Sequence, residues 1–402
     1  MSSSELRRGF IVCFFGCLAV FLLPPLANFT LLWRADETAA TWEIAEQMAD
    51  QKAIYGTAVN ATTPDLKLEL IRLRQPHVII LGSSRALQFR QEMFSTPFSN
   101  AGGVMGELVD GLNFLKRMYG FHKPELVILQ LDHWWFLDAP FGRRERRIDG
   151  LGTDARITVR KVLAPFGWLA EGSLSPSEYL DIVVHRNRYE NRWVTYPTLG
   201  MQAIQYGRGF RGDGSFLDAR AWFDKDSNFQ SRNFEMIKNH ITARAGNWSD
   251  SRPVDPQMLN LLGKIIAFIE ENGSSVVVML APLPAKIIQH MAESGRYNNV
   301  ADIRRRLKSR LTEAEYHDFH DPKAFGGNDC EYLNGDHGGD VTSVRMLLAA
   351  VQTRPDSPVN RHTSLNHLQD IIRRYRGRSF VNYHPSRYKF PEGDYLQLGC
   401  AK

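Results

Sequence analysis

The apolar residues of the chain are spaced in two ways. Short apolar runs that end in glycine, serine or aspartate predict strands, and segments with apolar residues three and four positions apart predict helices. The predicted strands are His77–Leu81, Phe98–Asn100, Glu125–Leu131 and Ser275–Leu280. The predicted helices are Asp65–Leu73, Ala86–Met93, Glu107–Tyr119, Met258–Glu271, Val341–Val351 and Leu365–Tyr375. Strands that alternate with helices indicate an α/β fold, with a mostly parallel sheet covered by helices on both faces.

One apolar segment is much longer than a strand. The 25 residues from Gly9 to Trp33 carry no formal charge, and as a helix they are long enough to cross a hydrocarbon core of about 30 Å. Arg7 and Arg8 precede them, which favours a cytoplasmic N-terminus and export of residues 35–402. The segment is either an uncleaved signal anchor, which we favour because no clean cleavage site follows it, or a cleaved signal sequence. No second apolar run approaches 18 residues, so a polytopic transporter is excluded.

These patterns divide the chain into five parts. They are a cytoplasmic N-terminus (1–8), a transmembrane anchor (9–33), a helical juxtamembrane region (34–75), an α/β domain (76–350), and a C-terminal helix and tail (351–402). The α/β domain contains an insertion at about 133–255, which is rich in arginine, glycine and aromatic residues. Its tryptophans either fill the core of the insertion or form a binding cap, since flat rings stack on sugars. They are Trp134, Trp135, Trp168, Trp193, Trp222 and Trp248.

Composition narrows the classes of function. The content of 43% hydrophobic and 23% charged residues is typical of a folded globular protein. The net charge of +5 is too small to indicate nucleic-acid binding. Four cysteines exclude a disulfide-dense scaffold. Cys330 and Cys400 could form one disulfide bond if the body is exported.

Polar residues follow the ends of the predicted strands, where ligands of open parallel sheets bind. Ser84 follows the first strand, and it is either an exposed nucleophile at a helix N-terminus or an ordinary helix N-cap. His337 lies in a glycine-rich loop between carboxylates, which is unusual for a packed core histidine. The four polar blocks are Gly82–Arg85, Asn100–Glu107, Gln130–His133 and Tyr332–Asp340.

Ser84 and His337 are the residue types that serine catalysis needs. A serine hydroxyl becomes a strong nucleophile when an imidazole accepts its proton, and a carboxylate or carbonyl must hold the tautomer of that imidazole. A weaker alternative is a metal site formed by His320 and Asp321 beside His337. Gly207–Gly212 fits the pattern G-x-G-x-x-G, but it follows no convincing strand, so we expect a loop that shapes the pocket.

The four blocks, in this order, resemble the SGNH or GDSL hydrolase superfamily. The resemblance is strongest to its membrane-anchored bacterial branch, which includes the alginate O-acetyltransferase accessory proteins and the protein D of lipoteichoic-acid D-alanylation. It covers about residues 76–132 and 256–350. It implies a three-layer α/β/α fold without metal or cofactor, on a single-pass protein of the bacterial plasma membrane whose body is extracytoplasmic.

The resemblance also implies roles for residues of the first two blocks. Ser84 corresponds to the nucleophile, with Ser83 in the usual aspartate position. Gly102 or Gly106 corresponds to the glycine whose N–H group binds the oxyanion. Arg85, directly after the nucleophile, is expected beside the substrate.

The last two blocks depart from the family pattern. The third-block asparagine, which donates a hydrogen bond to the oxyanion, falls at Asp132, and an ionised carboxylate cannot donate. The last block usually reads Asp-x-x-His, but Asn334 lies three residues before His337. Either Asp336 replaces the missing carboxylate, which we favour, or the enzyme works as a Ser–His dyad.

The sequence therefore predicts an exported, membrane-tethered serine esterase or O-acyltransferase that acts on a cell-envelope or secreted polysaccharide. The resemblance implies a polytopic membrane-bound O-acyltransferase as a partner. The alternative is a non-catalytic binding or assembly factor, suggested by the departures at Asp132 and Asn334. A lipase of the anchoring membrane is a third hypothesis. Arg143–Arg147 is either a solvated loop or a site for lipid phosphates or an acidic polysaccharide.

Overall fold

Two sheets organise the chain in the computed structural model, which describes residues 3–60, 63–138, 157–185, 194, 195, 197–224, 234–248, 252–383, 396 and 398–400. The strands are β1 Ile54–Tyr55, β2 Val78–Gly82, β3 Phe98–Gly102, β4 Leu126–Leu131, β5 Thr198–Leu199, β6 Arg208–Phe210, β7 Phe216–Asp218, β8 Ser275–Leu280 and β9 Glu315–Asp318. The helices are α1 Ser3–Arg34, α2 Thr41–Gln51, α3 Thr63–Arg74, α4 Leu108–Tyr119, α5 Val159–Ala170, α6 Pro176–His185, α7 Met201–Tyr206, α8 Ala219–Phe223, α9 Glu235–Ala243, α10 Pro256–Glu271, α11 Ala285–Glu293, α12 Asn298–Arg310, α13 Asp340–Thr353 and α14 Leu365–Tyr375. Trp193 and Arg143–Arg147 lie outside the described residues.

The larger sheet contains five parallel strands in the order β3-β2-β4-β8-β9. Successive strand residues point to opposite faces, and helices cover both. Ile79 and Val127 belong to a core that α4, α10 and α12 complete, whereas Ile80 and Ile128 belong to a core that α13 and α14 complete. The predicted α/β fold with a parallel sheet is therefore confirmed. Because β2, β3 and β4 are neighbours, the polar blocks that follow them meet at one edge of the sheet.

The predicted helix Ala86–Met93 is wrong. The chain forms two short 3-10 turns there, Ser84–Ala86 and Gln91–Met93. The Asn100 side chain donates hydrogen bonds from Nδ2 to the carbonyls of Ala86 and Phe89, each at 2.8 Å. These are carbonyls that a helix would use internally, so a tertiary contact replaces helical bonding.

The smaller sheet joins the juxtamembrane region to the insertion. Its order is β5-β1-β6-β7, so β1 lies between two strands of the insertion. Buried Glu37 reinforces this joint by accepting hydrogen bonds from the N–H groups of Ala58 and Met201, each at 2.8 Å. Burial raises the pKa of Glu37, and its hydrogen bonds only partly offset this effect.

The N-terminal helix α1 runs through Pro24 and Pro25 without interruption. From Arg7 to Arg34 it is long and apolar enough to cross a membrane, a property that a signal sequence shares. Apolar side chains along most of its length are exposed, as at Phe10 (70%) and Phe21 (75%), whereas Leu31 and Leu32 near its end are buried. The end of α1 is therefore packed into the body.

Lys67 on α3 is buried between the two sheets. Its Nζ donates hydrogen bonds to the Asn100 carbonyl, at 3.0 Å, and to the Gly214 carbonyl, and it lies 4.2 Å from the centre of the Phe210 ring. Burial lowers the pKa of Lys67 to about 7, although the charge of Asp213 opposes this shift.

We expect Lys67 to make stability depend on pH above neutrality. The unfolded chain holds this proton up to a pKa of about 10.5, whereas the folded protein releases it near 7. Stability should therefore rise with pH between these values, by up to about 1.4 kcal/mol per pH unit, and this group should add no slope below pH 7. Urea unfolding of the wild type and of Lys67→Met at pH 7.5 and 9.5 tests this. Equal pH dependence in the two proteins would contradict it.

Candidate active site

Ser84 is exposed in the tight turn that follows β2. Glycine at position 82 lets the turn pack closely, because a Cβ there would lie 3.0 Å from the Ala86 Cβ and 3.1 Å from the Gln130 carbonyl oxygen, and these neighbours would have to shift. Ser83 caps the turn, since its Oγ accepts a hydrogen bond from the Arg85 N–H at 3.2 Å. Ser83 thus takes the capping role that the sequence left open for Ser84.

The Ser84 hydroxyl meets a histidine that lies 253 residues away in the sequence. Ser84 Oγ is 2.9 Å from His337 Nε2, and His337 Nδ1 is 2.6 Å from Asp336 Oδ1. With the proton on Nδ1, the imidazole donates to Asp336 and accepts from Ser84. This is the hydrogen-bond chain that a general base for a serine nucleophile requires.

Asn334 holds the loop that carries the histidine. Its Oδ1 accepts hydrogen bonds from the N–H groups of Asp336, at 3.0 Å, and His337, at 2.8 Å. The same oxygen lies 3.1 Å from His337 Nδ1, so the imidazole has a second, neutral acceptor beside the carboxylate. Asp336 therefore supplies the carboxylate that the position of Asn334 lacks.

Electrostatic interactions shift the pKa values of Asp336 and His337 in opposite directions. Burial alone would raise the pKa of Asp336, but the charge of His337 and the hydrogen bond to it, together with the charge of Arg85, hold this pKa below its ordinary value. Burial alone would lower the pKa of His337, but the charge of Asp336 and its hydrogen bond raise it above 6.5. Asp336 is therefore poised to stabilise an imidazolium.

The buried side chain of Arg85 forms hydrogen bonds with residues that follow several strands of the larger sheet. Its side chain is only 3% exposed, and its Nη1 forms an ion pair with Asp132 Oδ1 at 2.9 Å. Its Nε donates to the Asp336 carbonyl at 2.8 Å, and its Nη2 donates to the Pro282 carbonyl. Arg85 and Asp132 thus connect the loops after β2, β4 and β8 with the histidine loop. Burial raises the pKa of Asp132, and the charge of Arg85 partly offsets this.

Arg85→Met is expected to lower the free energy of unfolding by about 3–5 kcal/mol, because it leaves the Asp132 carboxylate buried without its counter-ion. The double variant Arg85→Met/Asp132→Leu should recover part of this loss, since it removes both charges. Urea unfolding of the two variants measures the difference. If the double variant were less stable than Arg85→Met, the ion pair would not be the main source of the loss.

The two glycines predicted to bind the oxyanion use their N–H groups elsewhere. The Gly102 N–H donates to Asn100 Oδ1 at 2.7 Å, and the Gly106 N–H donates to Asp110 Oδ2 at 2.9 Å. The N–H groups of Ser84 and Val104 have no acceptor among the described residues, and both residues line the cavity at the site. Val104 is therefore the better candidate for the second donor.

The cavity beside Ser84 has a volume of about 530 Å³. Phe114 and the half-buried Trp134 form apolar parts of its wall, and Asn247 contributes from the insertion. No sequence pattern pointed to Asn247, because it lies in a short 3-10 turn outside the four blocks. For Gly106 a signal did exist: Asp110 stands at the third position of α4, where a carboxylate captures the preceding N–H groups.

The tryptophans divide between the two roles that the sequence left open. Trp134 and Trp135 line the cavity. Trp222 and Trp248 are buried in separate apolar clusters, and Trp168 packs in the cluster around the end of α1. The insertion thus shares these clusters with residues outside it, such as Leu31, Ile54 and Leu283, and it places two rings at the site.

Two weaker motifs have structural roles. His320 is buried with its ring 5.5 Å from that of His133, and burial lowers its pKa to about 3. Asp321 caps a 3-10 turn by accepting from the Lys323 N–H, and no group of three or more metal-ligating side chains occurs in the described part of the chain.

In Gly207–Gly212, the first glycine ends α7 and β6 follows, so a strand–turn–helix arrangement for a dinucleotide is missing.

The comparisons with protein-family models, curated proteins and solved structures found no match. The superfamily resemblance therefore stays a prediction from the four sequence blocks. The function of the site has to be inferred from its own geometry.

Proposed function

We propose that the protein is an exported, membrane-tethered serine esterase or O-acyltransferase of SGNH type that acts on a cell-envelope or secreted polysaccharide. The observation that carries this proposal is the continuous hydrogen-bond chain from Ser84 through His337 to Asp336 at the carboxyl edge of a parallel sheet. Ser84 lines a cavity of about 530 Å³, which is large enough for an acyl group and part of a sugar.

In the first half-reaction, Ser84 Oγ attacks the carbonyl carbon of an acyl ester while His337 Nε2 takes the hydroxyl proton. The Ser84 and Val104 N–H groups stabilise the resulting oxyanion. The ester C–O bond then breaks, His337 returns the proton to the leaving oxygen, and the acyl group remains on Ser84. In the second half-reaction, His337 deprotonates water or a sugar hydroxyl, which attacks the acyl-enzyme; the bond from the acyl carbon to Ser84 Oγ then breaks, and His337 returns the proton to Ser84 Oγ.

A sugar acceptor agrees with the wall of the cavity. Trp134 presents an aromatic ring of the kind that stacks on sugars, and Asn247 offers an amide for a hydroxyl group. Export agrees with the apolar helix α1 and with the disulfide between Cys330 and Cys400, since disulfides persist in oxidising compartments. By resemblance, a polytopic membrane-bound O-acyltransferase is the proposed partner.

The rival function, a non-catalytic binding or assembly factor, is favoured by one observation. Asp132 occupies the position of the asparagine donor, and Arg85 holds it in an ion pair. Under this hypothesis the fold would bind a glycan without forming an acyl-enzyme.

The decisive experiment supplies an aryl acetate to the full-length protein in detergent, with and without an envelope-type oligosaccharide. We expect released acetate, an O-acetylated oligosaccharide detected by mass spectrometry, or both, and their ratio separates esterase from transferase. Ser84→Ala is the control for uncatalysed acetylation. If folded protein gives neither product above this control but binds the oligosaccharide, the rival function is correct.

A further inference from the structure

Two helices of the insertion expose apolar side chains beside the end of α1. On α5 the exposed residues Val159, Leu163 and Phe166 are four and three positions apart, so they share one face. On α6, Leu180 and Val184 are both 60% exposed and are four positions apart. The opposite sides of both helices also pack apolar residues inward. Helices that are apolar on both sides are unusual at a water-exposed surface.

This apolar surface is continuous with that of α1. Buried Asn28 of α1 donates from Nδ2 to the Val162 carbonyl of α5 and accepts from the Tyr179 hydroxyl of α6, both at 2.9 Å. Exposed Leu163 and Leu180 directly follow these two partners in the chain. The exposed faces of α5 and α6 therefore begin at the side of the membrane-crossing helix.

The position of Asn28 sets the level of this surface. A helix of about 20 residues crosses the hydrocarbon core, and 20 residues counted from Gly9 end at Asn28. The contacts of Asn28 with α5 and α6 thus lie where α1 leaves the hydrocarbon. Trp33, one and a half turns further on, is 47% exposed, as expected for an aromatic residue at a membrane interface. Arg160, in the first turn of α5, is exposed and suited to lipid phosphates.

We propose that α5 and α6 form a collar that lies in the outer interface of the bilayer, with their exposed apolar side chains among the lipids. This proposal depends on α1 being a membrane anchor, which is part of the proposed function. Its occupant is the lipid surface, because the apolar face continues that of the anchor at the depth of the interface. Attachment at both α1 and the collar fixes the orientation of the body, and hence of the Ser84 cavity, relative to the membrane.

The experiment uses the full-length protein with Cys13→Ser and Cys17→Ser, reconstituted alone into phosphatidylcholine–phosphatidylglycerol vesicles. The fluorophore NBD is attached to a single new cysteine, Phe166→Cys or Leu180→Cys, in the collar. Phe14→Cys in α1 reports the membrane core, and Glu313→Cys, exposed in the loop before β9, reports water. Cooperative thermal unfolding shows that each labelled variant is folded. We expect lipids carrying a nitroxide near the headgroup to quench most of the emission at both collar positions and to leave the Glu313→Cys emission unchanged.

Collar emission that matches the Glu313→Cys control in these vesicles overturns the proposal. If the collar labels are shielded only in native membranes, their occupant is another protein and the lipid assignment is wrong. Emission at Phe14→Cys that is also not quenched by lipids carrying the nitroxide deep in the acyl chain, in contrast, reports failure of the anchor itself. Labelling of Ser84 by a fluorophosphonate in the same vesicles reports the catalytic proposal separately, because it does not depend on the depth of the collar.

Discussion

Ser84→Ala is expected to reduce aryl acetate turnover by the full-length protein to the uncatalysed rate. Without Oγ no acyl-enzyme forms, and His337 has nothing to deprotonate at 2.9 Å. His337→Ala should lower the rate by on the order of 10²–10⁴-fold, because the nucleophile loses its general base. With nitrophenyl acetate as the aryl acetate, the absorbance of the released nitrophenol measures both rates.

The neighbouring serine provides a matched control. Ser83 caps the turn through its hydroxyl, so Ser83→Ala should cost about 1 kcal/mol of stability and retain most of the turnover. A Ser84→Ala protein that is folded and as active as the wild type would exclude Ser84 as the nucleophile. Equal loss in both serine variants would indicate damage to the turn.

Asp336→Asn is expected to lower the rate by on the order of 10²–10⁴-fold and to change its dependence on pH. His337 acts as a base only when neutral, so the wild-type rate should rise with pH through a His337 pKa that Asp336 raises above 6.5. Removing the carboxylate charge should move this rise to lower pH. A pH–rate profile of the variant and the wild type measures the shift.

A rescue variant separates the role of Asp336 from general damage to the loop. Asn334 Oδ1 already lies 3.1 Å from His337 Nδ1, so Asn334→Asp in the Asp336→Asn background places a carboxylate on the same nitrogen. We expect this double variant to recover part of the rate and to return the pH profile toward that of the wild type. An unchanged profile in Asp336→Asn would contradict the assigned role.

The sequence predicted the elements that depend on local pattern. The continuous apolar runs of β2, β4 and β8 appear within one residue of their predicted bounds, and α14 has the predicted bounds. Two of the strands that were missed depend on distant partners. β9, with the sequence Glu-Tyr-His-Asp, has no apolar run, and two-residue β1 is a strand only because β5 and β6 lie on either side of it.

The candidate site divides in the same way. Ser84 and His337 stood out because polar residues follow strand ends, where the topology of a parallel sheet brings them together. The oxyanion donors could not be predicted from the sequence, because the availability of an N–H group depends on whether a side chain accepts its hydrogen bond. Asn100 and Asp110 capture those of Gly102 and Gly106, and only the folded structure shows that the N–H of Val104 has no acceptor among the described residues.

The central claim, that Ser84 is an activated nucleophile, is tested most directly by fluorophosphonate labelling of the full-length protein followed by intact-mass measurement and peptide mapping. We predict one adduct, on Ser84, which is formed by the wild type and lost in both Ser84→Ala and His337→Ala. No adduct, or an adduct on another serine, from protein that unfolds cooperatively would contradict the claim.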